Sequence, residues 1–153
     1  MRKFLIMFFV GYLFISGNVF AEEECEGGDD CFNTFKITLY NNNSHNCSLI
    51  NQSIIYGRLH SRTRIPNYLA PGSLNEFQMV EEGKHGASIL LTYQCDEDHE
   101  ITFLSHSNLR PTGLNPMKGT VENTKNMRAI MTDQAYDFWN GRSTMDWSLE
   151  TSH

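Results

Sequence analysis

The sequence predicts an all-β protein: a single antiparallel β-sandwich behind a cleaved signal peptide and a flexible acidic arm. Three observations carry that expectation. Short runs alternate apolar and polar residues, as in Phe35-Lys36-Ile37-Thr38-Leu39-Tyr40 and Met145-Asp146-Trp147-Ser148-Leu149, the period-two mark of a strand with one buried face. Turn-forming residues separate these runs at intervals of about 8 to 15 residues, which suits a sandwich of seven or eight strands. No window keeps helical spacing over three turns.

The N-terminus comes first. Met1 to Ala21 opens on Arg2 and Lys3, continues through the apolar stretch Phe4 to Ile15, and closes on Val19-Phe20-Ala21. A charged start, a short apolar middle and a small residue before a cut predict a secretory signal peptide. Cleavage after Ala21 leaves 132 residues, enough for one domain with its own core. The expected organisation is signal peptide 1–21, acidic disulfide-containing arm 22–34 and sandwich domain 35–153, with the mature chain secreted to the extracellular space or periplasm. The whole chain carries a net charge of −6, and losing Arg2 and Lys3 takes it to −8. That charge argues against nucleic acid as a partner, because such binding rests on neutralising phosphates with Lys and Arg.

Glu22 to Asp30 reads as a mobile arm. Phe35 to Tyr40 is the first strand, and Asn41 to Asn46 supplies turn chemistry. Cys47 to Leu59 reads as one strand rich in Ile and Leu, with Gly57 as a bulge. Ile65 to Gly72 is a short segment bracketed by prolines, and Pro71-Gly72 is a turn. Leu74 to Val80 follows, with Phe77 and Met79 on one face. Ala87 to Tyr93, with Ile89, Leu91 and Tyr93 on one face, pairs as a hairpin with the strand of Ile101 and Phe103 through the acidic turn Asp96-Glu97-Asp98. Leu109 to Lys125, with Pro111, Gly113, Pro116 and Gly119, reads as loop. Met127 to Met131 is ambiguous between strand and helix, and Asp133 to Asn140 reads as a helical turn or an aromatic loop. Met145 to Leu149 is the last strand.

The four cysteines, at 25, 31, 47 and 95, read as two disulfides in an exported chain. Three connectivities are possible. The expected one joins Cys25 to Cys31 across a short flexible loop and Cys47 to Cys95 across or between sheets. No Cys-x-x-Cys pair occurs, so a thiolate metal site is not expected.

Catalytic signatures are missing. There is no Gly-x-Ser-x-Gly and no His-Glu-x-x-His. Ser105-His106 and Ser44-His45 place hydroxyl beside imidazole, but neighbours on a strand point to opposite faces. Asp96-Glu97-Asp98-His99-Glu100 concentrates carboxylates without the spacing of an EF-hand loop, and it reads as a solvated hairpin tip. No catalytic residue, metal site or cofactor is expected. Tyr136, Phe138 and Trp139 are the candidate contact residues, because they lie together among Asp133, Asp137, Asn140 and Arg142. Amphipathic aromatics in a polar segment suit a membrane interface or a protein partner. Trp147, on an alternating strand, reads as core.

The order of several short pieces resembles the aegerolysins and the related small insecticidal crystal proteins. Ile37-Thr38-Leu39-Tyr40-Asn41-Asn42 leads to Tyr56-Gly57-Arg58-Leu59, then Ile65-Pro66, Leu69-Ala70-Pro71-Gly72 and Phe77. Glu82-Gly83-Lys84-His85-Gly86-Ala87 leads into Leu91-Thr92-Tyr93, followed by Ile101-Thr102-Phe103 and Gly113-Leu114-Asn115. The resemblance spans about Phe35 to Leu149. It implies a non-enzymatic β-sandwich that recognises membrane lipids, often with a separate pore-forming partner. The chain departs from that family at Ser107-Asn108-Leu109-Arg110-Pro111, where an aromatic, Cys-containing segment is typical, and in its N-terminal arm. The expected function is a secreted binding protein for membrane lipid. The alternatives are an effector or adhesin-like module for a host protein or glycan and, third, a small secreted hydrolase.

Overall fold

The computed structural model describes residues 33–82, 85–108, 117–137 and 139–152. The expected signal peptide, residues 22–32 of the acidic arm and the Cys25–Cys31 bridge lie outside them, while Thr34, at the arm's expected end, opens the first strand. The described chain is all β, in two five-stranded sheets packed face to face. The first sheet holds β3 (Arg58–Leu59), β5 (Leu74–Val80), β1 (Thr34–Asn41), β10 (Arg142–Thr151) and β9 (Met127–Asp137), in that order. The second holds β4 (Tyr68–Leu69), β2 (Cys47–Tyr56), β6 (Ala87–Asp96), β7 (His99–Ser107) and β8 (Met117–Lys125). All pairings are antiparallel except that of β1 with β10, which run side by side in the same direction.

The alternating runs place their apolar members between the sheets. Phe35, Ile37 and Leu39, Phe77 and Met79, and Met145, Trp147 and Leu149 face inward from the first sheet. Ile89, Leu91 and Tyr93 with Ile101 and Phe103 meet them from the second. Trp147 tilts against Phe103, with ring centroids 5.0 Å apart, and its indole N–H donates to Ser105 Oγ at 2.9 Å. Buried Tyr93 donates its hydroxyl to the Pro66 carbonyl at 2.6 Å, and burial pushes its phenol well above the ordinary value.

Three elements differ from the sequence expectation. The run Cys47 to Leu59 is not one strand with a bulge. Gly57, at φ 75°, ends β2, and the chain passes to the other sheet as β3. A Cβ there would come within 2.5 Å of the Val80 carbonyl oxygen, so both the left-handed turn and the close approach require glycine. Ile50, Ile54 and Ile55 of β2 are exposed. Met117–Lys125, within the expected loop, is strand β8, while 109–116 lies outside the described residues. Met127–Asp137 is one continuous strand, β9, not a short element followed by a helical turn. Both late strands lie at sheet edges, where pairing with β7 and β10 imposes the extended backbone that local sequence does not signal. The single residue Asn126, at φ 53°, carries the chain from one sheet to the other between them. Asparagine is among the few side chains that tolerate that conformation.

Each end of the sandwich has its own fastening. At one end, Ser107 of β7 is hydrogen-bonded to Ser143 of β10 at 2.8 Å and donates to Glu81 at 2.8 Å. At the other, Cys47 and Cys95 form a disulfide between β2 and β6, as expected from the sequence. Buried Asn41 and Asn43 surround it. Asn41 Nδ2 donates to the carbonyls of His45 and Leu69, both at 2.9 Å. Asn43 Nδ2 donates to Asn41 Oδ1 at 3.0 Å and to the Leu149 carbonyl at 3.1 Å. These asparagines therefore tie both sheets together and satisfy buried backbone acceptors that would otherwise cost stability.

Candidate functional site

The end fastened by Ser107 and Ser143 carries Tyr136 and Trp139 of the expected contact residues. β9 enters it at Asp137 and β10 leaves it at Arg142, and these two are cross-strand partners. The turn between them presents Trp139, whose surface is 91 % exposed.

The local sequence builds that turn. Asp137 accepts the backbone N–H of Trp139 at 3.2 Å and of Asn140 at 3.1 Å, and the Asn140 side-chain amide at 2.6 Å. This is the aspartate-led turn chemistry that competes with strand continuation. Gly141, at φ 60°, then brings its carbonyl to the Thr34 N–H at 2.8 Å, pinning the turn to β1. The hydrogen bonds from Asn140, foremost its side chain, hold the Asp137 carboxyl below the ordinary aspartate value of 3.8. A carboxyl so shifted supports the turn fully above pH 3.8 and loses that support as pH falls through its own lower midpoint. An NMR titration of the Asp137 carboxyl should accordingly give a midpoint below 3.8, with Trp139 amide exchange accelerating as it protonates. A midpoint at or above that value would remove Asp137 as the turn's cap.

The three candidate residues are not equivalent. Tyr136 lies in strand β9 rather than in a loop, opposite buried Ser143, and packs half-buried against the core. Desolvation, with the Glu81 carboxylate second, raises its phenol. Phe138 lies outside the described residues. Of the two that are described, Trp139 projects. Across the same end, Tyr56 at the close of β2 stacks on His85, with centroids 4.8 Å apart. That pair was not singled out in the sequence, because neither residue belongs to an aromatic cluster there.

At Ser105-His106 the hydrolase alternative finds no nucleophile–base pair. Ser105 is buried and bonded to Trp147, and His106 stands on the other face of β7. The exposed apolar side chains of β2 mark a second surface. Among the described residues, no strand pairs with the outer edge of β2 beyond Ser48. Ile50, Ile54 and Ile55 stand exposed along it.

Neither the family models nor the curated proteins yield a match to this sequence. Solved structures do share its architecture. The lipid binding protein Nakanori superposes with a TM-score of 0.65 at 9 % identity, over 78 % of this chain and 71 % of that one. The RahU protein, solved with a TRIS molecule, gives 0.61 at 10 % identity, over 78 % and 96 %. IP-1A from Alcaligenes faecalis gives 0.51 at 9 % identity, over 80 % and 94 %. At such identities the likeness is one of fold, a β-sandwich consistent with the aegerolysin-like expectation.

Proposed function

We propose that the chain is an exported, non-enzymatic binding protein that engages membrane lipid through the end of the sandwich bearing Trp139. The observation that carries this reading is the exposed indole on an ordered turn. Amphipathic Trp suits the headgroup level of a bilayer, and tying down its turn lowers the ordering cost of binding. The fold shared with a lipid binding protein adds support. With a mature charge of −8, general attraction to anionic membranes is unfavourable. Zwitterionic or sphingolipid headgroups are therefore the proposed target, with Tyr136 bracing the turn and Phe138 beside it in sequence. The resemblance noted above adds a separate pore-forming partner to the proposal.

Burying an aromatic ring at the interface is worth on the order of 1 to 3 kcal/mol. Trp139→Ala should therefore weaken binding to phosphatidylcholine–sphingomyelin vesicles about tenfold, measured by co-sedimentation, and leave the melting temperature unchanged. Vesicle binding equal to wild type would dismiss Trp139. A wild-type protein that ignores every vesicle would transfer the binding role to the β2 edge, which suits strand addition by a protein partner.

A further inference from the structure

We propose that His45, Asp96 and His99 form a binding site for a divalent transition-metal ion of the zinc class. The site lies at the disulfide end of the sandwich, remote from Trp139, and is independent of the lipid reading. His45 belongs to the turn between β1 and β2, Asp96 ends β6, and His99 begins β7. Their ligand atoms all lie within 4.8 Å of one another. His99 Nδ1 is 2.6 Å from Asp96 Oδ1, and His45 Nδ1 is 3.3 Å from Asp96 Oδ2. Two imidazole nitrogens thus converge on one carboxylate from different segments of the chain.

The scaffold supports this set without any ion. The disulfide joins Cys47, two residues after His45, to Cys95, adjacent to Asp96. The turn's backbone is held as well, since the His45 carbonyl accepts from Asn41. Asp96 Oδ1 also accepts the Asp98 N–H at 2.8 Å, which orients the carboxylate and leaves Oδ2 toward His45. Such outer hydrogen bonds are what aim a metal ligand. Asp98 is itself turned away to Lys125 at 3.1 Å. The chemistry of the donors selects the ion. Two imidazoles with one carboxylate match three-ligand zinc sites that keep a fourth position for water or an outside ligand. Calcium and magnesium prefer all-oxygen shells. Tetrahedral zinc with bonds of about 2.0–2.1 Å separates its ligand atoms by about 3.3 Å. The His45–Asp96 spacing already matches this. His99 and Asp96 must part slightly from 2.6 Å and the widest separation, within 4.8 Å, must shrink, side-chain movements on the order of 1 Å that rotation of exposed His45 and part-buried His99 supplies.

The test is competition between untagged, disulfide-intact protein and a chromophoric zinc chelator, with thermal melts alongside. Wild type should take up one zinc per chain and melt several degrees higher with excess zinc, while millimolar calcium should displace none. His45→Gln should weaken zinc binding at least tenfold and abolish the thermal shift, with its metal-free melting temperature unchanged because the side chain is exposed. His99→Gln should act in the same direction, and His60→Gln, on another segment, should bind as wild type. If His99→Gln is less stable, His45→Gln decides. No stoichiometric uptake by wild type, or uptake by His45→Gln equal to wild type, would reduce the cluster to two imidazoles paired with a surface carboxylate.

Discussion

Trp147→Ala should destabilise the protein by about 3–5 kcal/mol, the largest loss expected of any side-chain truncation here. Trp147 is 2 % exposed and lies against Phe103 between the sheets. Its six-membered ring also fills the space over Gly119, where a Cβ would come within 2.7 Å of it. Truncation thus opens a cavity bounded by β7, β8 and β10, with rigid backbone on one side. It also removes the donor to buried Ser105 Oγ, adding the cost of a buried group left without its partner. Urea denaturation of the variant should show the midpoint falling with little change in slope. A loss under about 1 kcal/mol would mean the ring contributes far less than its burial requires. The contrast with Trp139→Ala separates the two tryptophans: one holds the sheets together and the other faces outward.

Removing the Cys47–Cys95 bridge should come next in size. The cross-link spans 48 residues, and constraining a loop of that length in the unfolded chain is worth about 4 kcal/mol in the loop-entropy model. The double variant Cys47→Ala/Cys95→Ala avoids a stray thiol and should lose about that amount in chemical denaturation. It should keep its β-sheet circular dichroism, because the Asn41–Asn43 network still spans the two sheets. A loss below about 1 kcal/mol would show that the asparagines, not the bridge, hold this end closed. Non-reducing mass spectrometry should recover the linked peptide before that comparison is made.

The parts of the fold legible in the sequence are those whose buried face repeats every second residue. Ile89, Leu91 and Tyr93, and Met145, Trp147 and Leu149, lie in central strands with one inward face, so their periodicity survives in the sequence. β8 and β9 have mostly exposed side chains on both faces. Their strand character comes from distant pairing partners, and Pro111, Gly113 and Pro116 nearby suggested loop. β2 misled for another reason: its Ile- and Leu-rich run suggested one strand as far as Leu59, yet Ile50, Ile54 and Ile55 are exposed and β4 pairs beside β2 only at Cys47 and Ser48.

The candidate sites divide along the same line. The exposure of Trp139 was legible from its place among Asp, Asn and Arg, while the half-buried packing of Tyr136, offered on the same ground, was not. The meeting of His45 with Asp96 and His99 was not, because no local spacing joins residue 45 to residue 96. The one sequence signal that could have found it was the expected Cys47–Cys95 pairing, which brings those two turns together.

The parallel pairing of β1 with β10 sets the order in which the molecule can form. β10 lies between β1 and β9, so the place beside β1 stays vacant until Arg142–Thr151 have been made. A ribosome-bound chain lacking them can close the β6–β7 hairpin but cannot complete a sandwich. Such a non-local closure is slow compared with hairpin formation. β10 then acts as a clasp that joins β9 to the rest of the first sheet.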